Sequence, residues 1–188
     1  DKRIGSRFLR AGPAYGGSCF PKDTRALVNT GDKYNINLSI VKSVIKSNDN
    51  RKNLLLKRVH KILGKNIKNK KITFLGVTFK PGTDDMREAS SLKMIPYLSK
   101  NGAYINYTDP SGPKKILDKI KNVKFHKNIA LCCKNADLII IHTEWNEYKQ
   151  LNFKKLVIKK KFKIYDLRSI YSPRKLKKNN IDYYSIGR

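Results

Sequence analysis

From residue 71 onward, short apolar runs alternate with helical stretches, and this alternation constrains the fold more than any other feature of the chain. The segments fall at 71–77, 90–100, 104–108, 114–121, 123–126, 128–135, 137–142, 146–160 and 163–166. Runs such as Ile72-Thr73-Phe74-Leu75-Gly76-Val77 and Leu138-Ile139-Ile140-Ile141 are apolar without a period of two. A strand with one wet face would alternate; continuous apolar strands need cover on both faces. Strand–helix alternation with two-sided burial predicts an α/β fold, a Rossmann-like doubly wound parallel sheet. Ligands of such sheets lie beyond the carboxyl ends of the strands. Those ends carry Thr78-Phe79-Lys80, Asp109-Pro110, Thr143-Glu144-Trp145 and Leu167-Arg168, so the site is expected there.

The first third of the chain has another texture. Residues 11–21 form a Gly- and Pro-rich loop, Ala11-Gly12-Pro13-Ala14-Tyr15-Gly16-Gly17-Ser18-Cys19-Phe20-Pro21. Pro21 suits the first turn of a helix expected to stop near Gly31. Leu38, Val41, Ile45, Asn48, Lys52, Leu55, Val59 and Ile62 then step by three and four, which predicts one helix from about 38 to 63. At 1.5 Å per residue it spans roughly 40 Å. A small core does not need that length, so the helix is expected to bridge domains or pack on a second subunit. The division expected is 1–65 for the end of a central helical segment and 66–188 for the sheet domain.

Charge raises the question of nucleic acid, since 42 Lys and Arg stand against 14 Asp and Glu, a formal +28. Lys outnumbers Arg 32 to 10, and Lys, Ile and Asn together make 69 of 188 residues, which codon bias toward A/T explains. The lysines are dispersed and no nucleic-acid-binding motif accompanies them, so a solvated basic surface is expected rather than a nucleic-acid partner. No run of ~18 apolar residues predicts a membrane span. Cys19, Cys132 and Cys133 make no disulfide framework and have no zinc spacing, so a reducing cytoplasm and no metal are expected. Cys132 and Cys133 are expected in the core at a helix end, Trp145 as a packed aromatic, and the three His without a role. The opening Asp1-Lys2-Arg3-Ile4-Gly5 is neither signal peptide nor start, so the chain is expected to be part of a longer one.

Cys19 carries the chemistry. A Cys where a Gly-rich loop enters a helix sits where the helix N-terminus favours a thiolate. Lys22 puts a cation in the next turn, and Asp23, four residues on, shares the face of Cys19. Thiol and carboxylate together suit covalent attack on a carbonyl followed by base-assisted hydrolysis. Arg residues persist in this Lys-rich chain at Arg3, Arg7, Arg10, Arg25, Arg87 and Arg168, where bidentate binding of phosphate or carboxylate is not replaceable by Lys.

The stretch Arg3-Ile4-Gly5, then 8–24 through Gly-Gly-Ser-Cys-Phe-Pro-Lys-Asp, resembles the catalytic loop of the UDP-glucose/GDP-mannose dehydrogenase family. Phe79-Lys80-Pro81-Gly82-Thr83-Asp84-Asp85-Met86-Arg87-Glu88-Ala89, Tyr107-Thr108-Asp109-Pro110, Thr143-Glu144-Trp145 and Tyr165-Asp166-Leu167-Arg168 resemble later blocks of the same family. The resemblance implies NAD-dependent oxidation of a sugar C6 alcohol to the acid, with Cys19 as nucleophile and Asp23 assisting water. It implies that Cys19, Lys22 and Arg87 contact the dinucleotide, and that Arg3, Phe8, Arg10, Gly12, Tyr15, Gly16, Phe79, Lys80 and Arg168 contact the nucleotide sugar. Arg3 would reach a neighbouring subunit's site, which implies a homodimer or higher oligomer. The motif is most similar to UDP-glucose enzymes, with GDP-mannose and then N-acetylated UDP-sugars as alternatives, and a non-catalytic basic module as the rival of another class. Ala14 departs from the family's usual Gly, which raises the question of a left-handed backbone there. The family's N-terminal NAD-binding domain is absent from this chain, so turnover is expected only from a longer one.

Overall fold

The computed structural model describes residues 10–187. Arg3, Arg7 and Phe8 lie outside the described residues. Two helices come first, α1 at Cys19–Lys33 and α2 at Ser39–Leu63, packed on each other. Pro21 sits in the first turn of α1, where its missing N–H needs no partner. The helix stops at Lys33, near Gly31 as the sequence suggested. A Cβ on Gly31 would meet the Leu38 side chain at 2.7 Å, so the glycine lets the chain fold back closely. Asn35, with φ 56°, ends the turn. α2 has the expected 25-residue length, and Gly64 at φ 97° closes it.

A six-stranded parallel sheet follows. Its strands are β1 Lys71–Leu75, β2 Tyr104–Thr108, β3 Val123–Phe125, β4 Leu138–Ile141, β5 Lys163–Asp166 and β6 Asp182–Ser185. The order is β3-β2-β1-β4-β5-β6, so the winding reverses between β1 and β4, where Ile72 pairs with Ile105 on one side and Leu138 on the other. Alternate residues of each central strand feed two separate cores. Ile72, Phe74, Leu138, Ile140 and Tyr165 face one with the C-terminal half of α2. Leu75, Ile139, Ile141 and Ile164 face the other, which is why these strands lack polar alternation. Helices α3 (Ser91–Lys100) and α4 (Lys115–Asp118) cover the first face; α5 (Ile129–Cys133), α6 (Phe153–Leu156) and α7 (Pro173–Lys178) cover the second.

Two expected helices are shorter than their sequence pattern. Of 114–121 only α4 is helical, and Asn122, at φ 61°, turns the chain into β3. The stretch 146–160 breaks into a 3₁₀ turn, Asn146–Tyr148, and the single turn α6. Tertiary bonds replace helical ones there: the Tyr171 hydroxyl accepts from Leu151 N–H at 2.9 Å and donates to the Tyr148 carbonyl, and Ile158 N–H donates to Lys134 O at 2.9 Å. β6 and α7 lie beyond the segments legible in the sequence. No described helix is long and apolar enough to cross a membrane.

Candidate active site

The site is built where β1, β2, β4 and β5 end. Leaving β1, the chain turns through Gly76 at φ 78°, where a Cβ would strike Thr143 at 2.5 Å; only glycine lets this loop cross the exit of β4. The Asp109 carboxylate at the end of β2 accepts from Val77 N–H at 2.8 Å and from Ser111 N–H at 3.0 Å. Thr143 Oγ1 donates to Thr78 O at 2.6 Å.

His142 ties this network together. Its Nε2 accepts from Ser91 N–H at 3.1 Å and lies 2.8 Å from Ser90 Oγ. Because a backbone N–H can only donate, the ring proton sits on Nδ1, which donates to Thr143 Oγ1 at 3.1 Å. Full burial, with the Arg168 charge adding to it, pushes the imidazole down to about 3, so it stays neutral.

Arg168 is the second anchor. Its Nε donates to His142 O at 2.9 Å and its Nη2 to Phe79 O at 2.7 Å, binding the loops after β1 and β4 together. Glu144 Oε2 lies 3.0 Å from Nε, close enough for an ion pair but without an aligned hydrogen bond. Burial lowers the guanidinium from its ordinary value, opposed by Glu144 and Asp166. Nη1 faces Gly12, where a Cβ would come within 3.1 Å. Arg168 thus clamps the loops as well as bordering the 10–17 segment.

That segment lies directly on the strand ends. Gly17 N–H donates to Arg87 O at 2.7 Å. A Cβ on Gly17, at φ 81°, would meet the Phe79 ring at 2.8 Å, and one on Gly16 would meet Glu88 O at 2.9 Å. Tyr15 is pinned to α2: its N–H donates to Asn48 Oδ1 at 2.9 Å and its carbonyl accepts from Asn48 Nδ2 at 3.2 Å. Arg51 Nε donates to Gly12 O at 3.2 Å. Ala14 has no positive φ, so alanine fits without strain and the departure from glycine has no backbone consequence.

Cys19 is the first residue of α1 and is exposed, unlike Cys132 and Cys133. Those two end α5 in the core, where burial pushes the Cys133 thiol up to about 12 and Cys132 further still. Lys22 and Arg87 both lie within electrostatic reach of the Cys19 sulfur. Lys22 pairs with Asp23 on the surface, and that contact raises it from its ordinary value. Arg87 forks onto Asp85 at 2.8 and 3.0 Å, which holds the Asp85 carboxyl below the usual range. Lys80 is exposed with its ammonium 5.3 Å from the centre of the Phe79 ring. Arg10 is exposed. The structure therefore brings Cys19, Lys22 and Arg87 together, and gathers Gly12, Gly16, Phe79 and Arg168 around the end of β1.

Four residues here were not legible as site residues: Asn48, Arg51, Lys52 and Glu88. Glu88, at φ 55°, accepts from Arg25 of α1 and Lys52 of α2, each at 3.1 Å. The two cations hold its carboxyl below the usual range. The only sequence signal was that Asn48 and Lys52 interrupt an apolar seam. No group of three His, Cys, Asp or Glu among the described residues is arranged to hold a metal.

Comparison with known proteins agrees with this fold. Residues 1–50 match the central domain, and residues 73–173 the UDP-binding domain, of the UDP-glucose/GDP-mannose dehydrogenase family. The chain is 40% identical to the UDP-glucose 6-dehydrogenases of Rickettsia felis and Rhizobium meliloti over its whole length, but spans only 42% and 43% of theirs. A solved UDP-glucose dehydrogenase from Pyrobaculum islandicum superposes with a TM-score of 0.80 at 28% identity, over 98% of this chain and 40% of that one.

Proposed function

Since the chain belongs to the UDP-glucose/GDP-mannose dehydrogenase family, we propose that it supplies the catalytic loop and nucleotide-sugar-binding domain of an NAD-dependent UDP-glucose 6-dehydrogenase. The observation that carries this is an exposed thiol at the head of α1, flanked by Lys22 and Arg87, in a loop docked on the switch point of a parallel sheet. The division proposed is 1–65 for the end of the central domain and 66–188 for the sugar-nucleotide domain.

The first oxidation converts the C6 alcohol to an aldehyde. The Cys19 thiolate then attacks the aldehyde carbon; a C–S bond forms and the oxygen takes a proton, giving a thiohemiacetal. Removal of a hydride from that carbon and the proton from its oxygen leaves a thioester. Water attacks the thioester carbon while Asp23 takes the water's proton. The C–S bond breaks, the electron pair returns to sulfur, and the sugar leaves as a carboxylate. NAD supplies the acceptor for each of the two hydrides. Lys22 and Arg87, exposed cations beside the thiol, fit the pyrophosphate of such a dinucleotide. The exit of β1, Gly76-Val77-Thr78, lacks a GxGxxG turn, so this sheet is assigned to the sugar nucleotide.

Phe79 and Lys80 are assigned to the nucleotide, and Gly12, Tyr15, Gly16, Arg10 and Arg168 to the sugar diphosphate side, with Arg3 and Phe8 completing the set. Ile40, Val44 and Leu54 leave an exposed apolar face on α2, which supports self-association through that helix. The enzyme is assigned to a reducing, cytoplasmic compartment.

The test is NADH formation by the full-length gene product on UDP-glucose, GDP-mannose and an N-acetylated UDP-sugar. UDP-glucose is expected to give the highest kcat/KM and two NADH per sugar. Cys19→Ala is expected to abolish acid formation; normal turnover by that variant would end the covalent assignment.

A further inference from the structure

A cleft that Cys19 does not line lies between α2 and the carboxyl ends of β5 and β6. It has a volume of about 240 Å³ and opens to solvent between Arg51, Leu54 and Arg58 on one wall and Tyr165, Ser185 and Gly187 on the other. Arg51 and Arg58 stand seven residues apart on α2, two helical turns, so both guanidiniums project from one face. Among the described residues neither meets a carboxylate. Arg51 spends only its Nε, on Gly12 O at 3.2 Å, and Arg58 lies over the Tyr184 ring at 5.8 Å.

Two further groups point to a ligand. Tyr165 lines the cleft with its ring packed in the core, and its hydroxyl makes no hydrogen bond among the described residues; the buried atoms left without a partner are Glu144 Oε2 and Trp145 Nε1, so the Tyr165 hydroxyl opens onto solvent in the cleft. Ser185, on the same wall, likewise makes no side-chain hydrogen bond among the described residues and is open to the cleft. Both guanidiniums act on the Tyr165 hydroxyl electrostatically, and all four residues line the one cleft. In a chain with 32 Lys and 10 Arg, two Arg at this spacing on one cleft offer planar forks that Lys does not reproduce.

We propose that this cleft binds a phosphate-class oxyanion, held by the forks of Arg51 and Arg58 and by the hydroxyls of Tyr165 and Ser185. The chemistry is that of a tetrahedral dianion, either free phosphate or the phosphoryl group of a small ester. Occupancy is linked to the catalytic segment through Arg51, which holds the Gly12 carbonyl.

The test is calorimetric titration of the full-length gene product with inorganic phosphate and, separately, with glycerol 3-phosphate. One saturable site per chain is expected, and Arg58→Gln is expected to weaken it by about tenfold or more, the loss of one charge-assisted fork. Tyr165→Phe, which keeps the ring packing, is expected to weaken it about threefold, and serves if the Arg58 variant fails to fold. Tighter binding of glycerol 3-phosphate identifies an esterified phosphoryl group; tighter binding of phosphate identifies the free ion. The proposal is overturned by an absence of saturable binding, by equal affinity in folded Arg58→Gln, or by displacement of phosphate by UDP. The last result would put the anion at the end of β1 instead.

Discussion

A neutral imidazole at the centre of the strand-end network has a measurable consequence. His142 holds its folded-state pKa near 3 against an ordinary 6.5. Between those values the unfolded chain takes up a proton and the folded chain does not. Its contribution to stability is therefore fully present above pH 6.5 and is lost as pH falls toward 3, at up to about 1.4 kcal/mol per pH unit. His126, also lowered by burial and by Lys124, acts in the same sense, while Asp166, raised by burial, opposes both. Asp85, Glu88 and Asp137 are held below the usual carboxylate range, so their stabilisation is present above the ordinary carboxylate pKa and is lost only in more acid solution. Denaturant unfolding of the 188-residue chain at pH 6.5 and 5 is expected to show the loss. In His142→Asn the slope between those two pH values is expected to be shallower. A wild-type slope in the variant would show that His142 is protonated without cost.

At the scale of elements, the question is what holds α1 and α2 to the sheet. Glu88 receives one cation from each helix, and its own loop carries Arg87, whose carbonyl binds Gly17. Lys52 is largely buried, so removing Glu88 leaves its ammonium with only Asp49, at 3.8 Å. Glu88→Ala is expected to lower unfolding free energy by about 1–3 kcal/mol. Lys52→Met alone is expected to cost less, and the double variant less than the sum, because the two share one contact. Strict additivity in that cycle would mean the ion pair couples nothing. This clasp also shows where sequence reading stops. β1 and β4 were legible because burial on both faces leaves an apolar run in any order of neighbours. Cys19, Lys22 and Asp23 could be proposed from sequence because they lie within five residues of one another. Glu88 and Lys52 are 36 positions apart, and nothing in either neighbourhood announces the other. β6 escaped for a different reason: an edge strand with only Ser185 fully buried carries almost no apolar signal. The 146–160 segment misled because Tyr148, Phe153 and Val157 bury a helix-like set of side chains on a chain held by Tyr171 and Lys134.

At the scale of the whole molecule, the direction of the parallel sheet accounts for where part of the positive charge falls. Every strand starts at one edge, and the helices that feed the strands end there. Lys70 and Lys71 enter β1, Lys121 precedes β3, Lys134 follows α5, Lys159–161 precede β5, and Lys177 and Lys178 end α7. Cations at helix carboxyl ends oppose the helix dipole, so the fold accepts lysine there at little cost. Some are spent locally: Lys159 pairs with Asp137, and Lys163 donates to Ile62 O at the end of α2. Other lysines, Lys80, Lys114, Lys115 and Lys127 among them, follow the carboxyl ends of β1, β2 and β3, so both edges of the sheet carry cations. A polyanion attracted by the net +28 should therefore bind electrostatically and without sequence preference, with no need of the strand-end site proposed for the nucleotide sugar. Single-stranded RNA is expected to bind weakly, with affinity falling steeply as salt rises by about 0.7 log unit per log unit of salt for each phosphate engaged. Saturating UDP-glucose is expected to leave both the affinity and that slope unchanged. Competition between the two would place RNA at the strand ends and favour a binding module over a dehydrogenase. Independence would leave the charge as a solvated surface dispersed over the fold.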